Sequence, residues 1–283
     1  MKKWNLLSYK SKLQKIADIL LLNGLLIDCP GLIHGKMGIE VFLFHYAKYT
    51  DNVLFDDYAF DMIVEMQKQI HENSPADYER GIAGIGVGLD YLIRNHFFEA
   101  DDDFFEDFDK RMYRAVMYDP WQDLSLYNGL VGYGRYWMTR FSQQDLSIQA
   151  RECLMRIAEL IEEKIQNISA KEQTEVYYFL LDLQKISGFD FCTDLLMKCQ
   201  EQTTNDFSRL GYSVTANMVR MYYQKHYYNS EQSPKNHVAL KYIPDLDLEK
   251  PTVSMGLLSG YAGEGLMRLT ALNKANMSWI YLL

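Results

Sequence analysis

A chain of 283 residues with 48% hydrophobic and 24% charged side chains, 17 glycines and 6 prolines is neither disordered nor fibrous, and it carries ample material for a core. Its formal charge of −9 repels a phosphate backbone, which excludes nucleic acid as the expected partner. Four cysteines (Cys29, Cys153, Cys192 and Cys199) are too sparse for a disulfide framework and fit a reducing, cytoplasmic setting.

The amino-terminal stretch reads as neither a signal nor an anchor. Lys10, Lys12 and Lys15 break any apolar signal core, and Asp28 stands before Cys29 where a lipidated cysteine needs a small residue. The longest apolar run, Ile16 to Ile27, is interrupted by Asp18 and Asn23 and falls short of the roughly 20 residues that span a bilayer. No membrane contact is expected. No Gly/Ser/Pro-rich linker separates two halves, so residues 1–283 read as a single domain.

Glycine then sets the organisation. A G-x-x-G pair occurs at Gly35/Gly38, Gly81/Gly84, Gly129/Gly132 and Gly260/Gly263, where random placement of 17 glycines gives about one such pair. The first three pairs are separated by steps of 46 and 48 residues, and the distance from 129 to 260 is close to three such steps. Two copies without glycine are therefore expected between them, at Glu172 to Ser187 and at Gly211 to His226.

Each pair is followed by apolar residues at helical spacing: Ile39, Phe42, Leu43, Tyr46; Ile85, Leu89, Leu92; Tyr133, Tyr136, Trp137, Phe141; Leu266, Leu269, Leu272. These helices are apolar on more than one stripe, as an inner layer packed on both sides requires. The intervening segments are amphipathic, with stripes Phe60, Ile63, Val64, Gln67, Ile70 and Phe104, Phe108, Met112, Ala115, Val116, and read as an outer layer. No stretch alternates with period two. The expected fold is all-α: five to six helical hairpins of ~47 residues, closed as an α/α toroid or left open as a solenoid.

The glycine pairs have two readings. They permit close hairpin packing, or they leave free amides at inner-helix N-termini that favour anionic or carbonyl-bearing ligands. The surrounding residues carry more information: Gly31-Leu32-Ile33-His34-Gly35-Lys36-Met37-Gly38-Ile39-Glu40, Gly81-Ile82-Ala83-Gly84-Ile85-Gly86 and Gly256-Leu257-Leu258-Ser259-Gly260-Tyr261-Ala262-Gly263-Glu264-Gly265. This set resembles the LanC-like family, the lanthionine synthetase C proteins and their relatives.

The resemblance implies an α/α toroid acting in the maturation of peptide natural products, with a modified precursor peptide or other biosynthetic proteins as partners. In active members it implies a zinc ion that holds a peptide cysteine as thiolate for addition to a dehydrated residue. There the ligands are two cysteines and a histidine, one cysteine and the histidine lying in a Cys-His-Gly tripeptide. No Cys-His-Gly occurs here, and no cysteine falls in a glycine motif, so no cofactor is expected.

His34 matches the family phrase G-x-x-H-G-x-x-G, in which the histidine is a candidate acid/base. Alternatively it is a polar residue capping the first inner helix. The other metal pairings, Cys192 with Cys199 and Cys29 with His34, lack the tight spacing of structural zinc sites, and His45, His71, His96, His226 and His237 are scattered. Glu40, Asp90 and Glu264 lie near inner-helix starts and offer a second enzyme reading, a glycosidase or lyase with a carboxylate pair, against which stands a plain helix-start role. His34, Glu40 and Glu264 are the candidate catalytic residues. A third reading is a scaffold without chemistry. The acidic run Glu99, Asp101, Asp102, Asp103, Glu106, Asp107, Asp109 reads as a cap and solvated face of an outer helix. Tyr222, Tyr223, Tyr227, Tyr228 and the loop Asn229 to Thr252 read as the least repeat-like region, a lid or partner surface.

Overall fold

The computed structural model describes residues 3–71, 73–101, 103–141, 147–200 and 254–283. The expected repeat at Gly211 to His226, the tyrosine cluster, His226, His237 and the loop Asn229 to Thr252 lie outside them. Among the described residues every regular element is helical and none is a strand, as the periodicity requires. No helix among them is long and apolar enough to cross a membrane.

The chain divides into two compact units, Met1–His71 with Tyr212–Leu283, and Glu72–Gly211. The first joins both ends of the sequence. It contains α1 (Lys3–Asn23), α2 (Lys36–Thr50), α3 (Val53–Gln67) and α10 (Tyr261–Ala271). Every residue of α2 from Lys36 to Ala47 is buried, because α1, α3 and α10 all pack on it. Asp51, left-handed at φ 54°, ends α2, and the Asn52 side chain accepts the Leu54 amide to start α3. The Tyr46 hydroxyl donates to Gln14 of α1 at 2.6 Å, and the indole of Trp279, in the C-terminal 3₁₀ turn Met277–Leu282, donates to Thr270 of α10 at 3.0 Å.

The second unit contains α4 (Ile82–Arg94), α5 (Glu106–Met117), α6 (Leu130–Phe141), α7 (Ser147–Lys164), α8 (Ala170–Leu183) and α9 (Cys192–Gln200). Helices α4, α6 and α8 pack side by side as an inner row, and α5, α7 and α9 each back one of them. The expected glycine-free repeat beginning at Glu172 is α8.

Two expectations about outer helices are corrected. In α3 the buried stripe is Phe55, Ala59, Met62, Ile63 and Met66, whereas Phe60 and Val64 are exposed. Within the acidic run, Glu99, Asp101, Asp103, Glu106 and Asp107 are exposed as expected, but Asp109 is buried. Asp109 accepts the Tyr136 hydroxyl at 2.6 Å and both Nε and Nη2 of Arg140 at 3.1 and 3.2 Å, and Arg140 lies over the Phe105 ring at 4.2 Å. This buried pair ties outer helix α5 to inner helix α6, with Nη1 of Arg140 left without a hydrogen-bond partner.

Candidate functional site

All four glycine motifs adopt one loop. The first helical amide of each inner helix donates to the carbonyl seven residues earlier: Lys36 to Cys29 at 2.9 Å, Ile82 to Pro75 at 2.9 Å, Leu130 to Asp123 at 2.9 Å and Tyr261 to Ser254 at 3.0 Å. In three of the four the second amide does the same, from Met37, Ala83 and Ala262. This overturns the site-building reading of those amides: the leading donors are used within the loop, and they are not presented to a ligand.

The loop also explains the glycine. A Cβ on Gly35, Gly81, Gly129 or Gly260 would stand 2.4, 2.2, 2.3 or 2.6 Å from the carbonyl oxygen six residues back, closer than any side chain tolerates. Repeat α8 has carboxylates at these positions instead. Glu172 and Glu175 stand where the other repeats have glycines, and their carboxylates accept the amides of Leu124, at 3.4 Å, and Leu126 from the preceding loop. Ser169 and Glu172 close a capping box around the same helix start.

Neighbouring repeats within each unit share one register. The Tyr78 amide donates to the Tyr127 carbonyl at 2.9 Å, and at equivalent positions the Leu257 amide donates to the Ile33 carbonyl at 2.8 Å. The residue five after the motif's first glycine receives the aromatic ring seven after it in the next repeat. Cβ atoms on Gly86, Gly134 and Gly265 would stand 2.5, 2.4 and 2.3 Å from the rings of Tyr136, Phe179 and Phe42. By both measures α10 precedes α2 as α4 precedes α6. The last repeat docks on the first in the register of consecutive repeats.

The candidate residues fall into this frame as follows. His34 is exposed on the loop before α2. Glu40 stands in α2 at the position that is glycine in the repeats of α4, α6 and α10, and it is completely buried, with neither carboxylate oxygen hydrogen-bonded. Burial pushes its carboxyl well above the usual range, against the pull of the Lys36 ammonium one turn earlier. Glu264 of α10 is partly exposed and lies 3.9 Å from the buried Arg268 guanidinium, which covers the Tyr9 ring at 5.0 Å. Asp90, in the other unit, pairs with Arg94 at 2.7 Å, and burial raises its carboxyl despite that partner. The first unit thus holds Glu40 and Glu264 on adjacent helices, one dry and one ion-paired.

Cys29 is half-buried on the loop before α2, while the other three thiols lie deeper. Cys153, Cys192 and Cys199 are buried in outer helices α7 and α9, and burial raises each of them, Cys192 and Cys199 to about 11. No three His, Cys, Asp or Glu side chains group as metal ligands among the described residues. Sequence reasoning missed the Asp109–Arg140–Tyr136 network and the Glu172/Glu175 replacement. The carboxylates three residues apart at a helix start were the available signal for the latter. Comparison with known protein families, curated proteins and solved structures gives no match.

Proposed function

We propose that the chain is a LanC-like protein of peptide natural-product maturation, an α/α toroid that binds a modified precursor peptide in the cytoplasm without acting as a zinc cyclase. The observation that carries this reading is the fourfold glycine loop, whose last copy docks on the first in the register of consecutive repeats, the adjacency a ring of hairpins needs. The family phrase around Gly35 and Gly260 supplies the link to peptides, and the lack of a Cys-His-Gly tripeptide in the sequence speaks against cyclisation. The test is calorimetric titration of the full chain with a cysteine-containing peptide carrying dehydroalanine. Saturable binding without ring closure is expected. Cleavage of a glycan, lost in Glu40→Gln and Glu264→Gln, with no peptide binding would instead favour the carboxylate-pair reading.

A further inference from the structure

Four leucines of the first unit stand in water. The apolar run Ile16 to Ile27 is core mostly in its first half: Ile16, Ala17 and Leu20 are fully buried, whereas Leu22, Leu25 and Leu26, at the end of α1 and in the 3₁₀ turn Gly24–Leu26, are exposed at 73%, 45% and 76%. Gly24 fixes what lies beside them. It is buried, and a Cβ on it would stand 3.2 Å from Sδ and Cε of Met62 and 3.5 Å from the Tyr58 hydroxyl, so the turn is pressed onto α3. One turn before Tyr58, on the same side of α3, is Leu54, exposed at 58%. A single exposed leucine needs no explanation, but four around one contact present roughly 400 Å² of apolar surface, in the range at which the largest patch on a monomer is often functional.

The charge beside this patch is acidic. Asp18 lies one turn before Leu22, Asp28 two residues after Leu26, and Asp57 and Asp61 follow Leu54 at i+3 and i+7; all four are exposed. Against them stands Lys15, two turns before Leu22. Two copies meeting through the patch would set the acids of one against those of the other, and its area falls short of the roughly 800 Å² per partner of a standard interface. An anionic lipid surface would meet the same repulsion.

We propose that this patch docks a cationic amphipathic helix of another protein, whose apolar stripe covers Leu22, Leu25, Leu26 and Leu54 and whose lysine or arginine side chains, on either side of that stripe, face the four aspartates. Such a helix presents a narrow apolar stripe flanked by its charges, and a few apolar anchors suffice to hold it. The carboxylates select its charge and orientation more than they add affinity. This surface goes beyond the peptide reading and does not rest on it.

The experiment follows by fluorescence anisotropy the binding of two labelled peptides of about fifteen residues to the full chain, one built of leucine and lysine at helical spacing and the other with glutamate for every lysine. The basic peptide is expected to bind roughly tenfold more tightly than the acidic one. Leu26→Ser and Leu54→Ser are each expected to weaken it roughly tenfold while keeping the wild-type thermal midpoint, since both side chains are exposed. Asp57→Asn combined with Asp61→Asn is expected to narrow the difference between the peptides. Equal binding of the two peptides, basic-peptide binding that both serine variants retain, a difference unchanged in the double asparagine variant, or no binding of either peptide overturns the site. Sedimentation velocity of the wild type alone is expected to show a monomer, and self-association lost in Leu26→Ser overturns the proposal in favour of a second copy.

Discussion

Gly265→Ala separates the repeat register from simple helix propensity, because the two give opposite signs. In an ordinary helix interior this change stabilises by about 0.5–1 kcal/mol. Here the new methyl would stand 2.3 Å from Cε2, 2.6 Å from Cδ2 and 2.9 Å from Cζ of Phe42, against an ordinary contact of about 3.5–4 Å. The ring has nowhere to go: Phe42 is fully buried and stacks on Tyr46 at 5.6 Å, which in turn meets Phe55 edge-on at 4.8 Å. Overpacking of this kind costs about 1–3 kcal/mol, so the net expectation is a loss of about 1–2 kcal/mol. Phe42→Leu removes the clashing ring edge, and in that background Gly265→Ala is expected to be nearly neutral, a coupling of about 1 kcal/mol between the first and last repeats. Urea unfolding followed by circular dichroism measures all four members of the cycle. A Gly265→Ala variant more stable than wild type, or additive with Phe42→Leu, would refute the docking of α10 on α2.

Three further outcomes follow from buried charge. Glu40 binds its proton more tightly folded than unfolded, so wild-type stability attributable to it is full at acid pH and falls by about 1.4 kcal/mol per pH unit above 4.5 until the folded value is passed. Glu40→Gln is expected to lose that dependence, and unfolding midpoints measured across pH will show it. His45 behaves oppositely: burial lowers it from 6.5 to about 4, so acidification through that window charges the unfolded state first and costs about 3 kcal/mol, a loss expected to be missing from His45→Gln in the same pH series. Asp109→Ala strands the Arg140 guanidinium in the core of the second unit and is expected to destabilise by about 3 kcal/mol, measured by denaturant titration.

The inner helices were legible because a backbone constraint forces glycine into the sequence at a fixed step, and burial on all sides forces apolar residues after it. The α8 repeat was legible only by that second signal, since Glu172 and Glu175 satisfy with side chains the amides of the preceding loop. The α3 stripe was displaced because the buried face uses the small Ala59, while the bulkier Phe60 and Val64 face outward. Asp109 was indistinguishable from its acidic neighbours by composition. Only its place one turn from Phe105 and Met112 puts it on the buried face, and its partner Arg140 lies 31 residues on, in the next helix.

The central claim is that this chain binds a modified peptide and leaves it uncyclised. Its most direct measurement is titration of the full chain with the dehydrated cysteine peptide, followed by mass analysis after thiol alkylation. Saturable binding with the thiol still free to alkylate is the predicted result. Absence of binding, or loss of the alkylatable thiol through thioether formation, would contradict it.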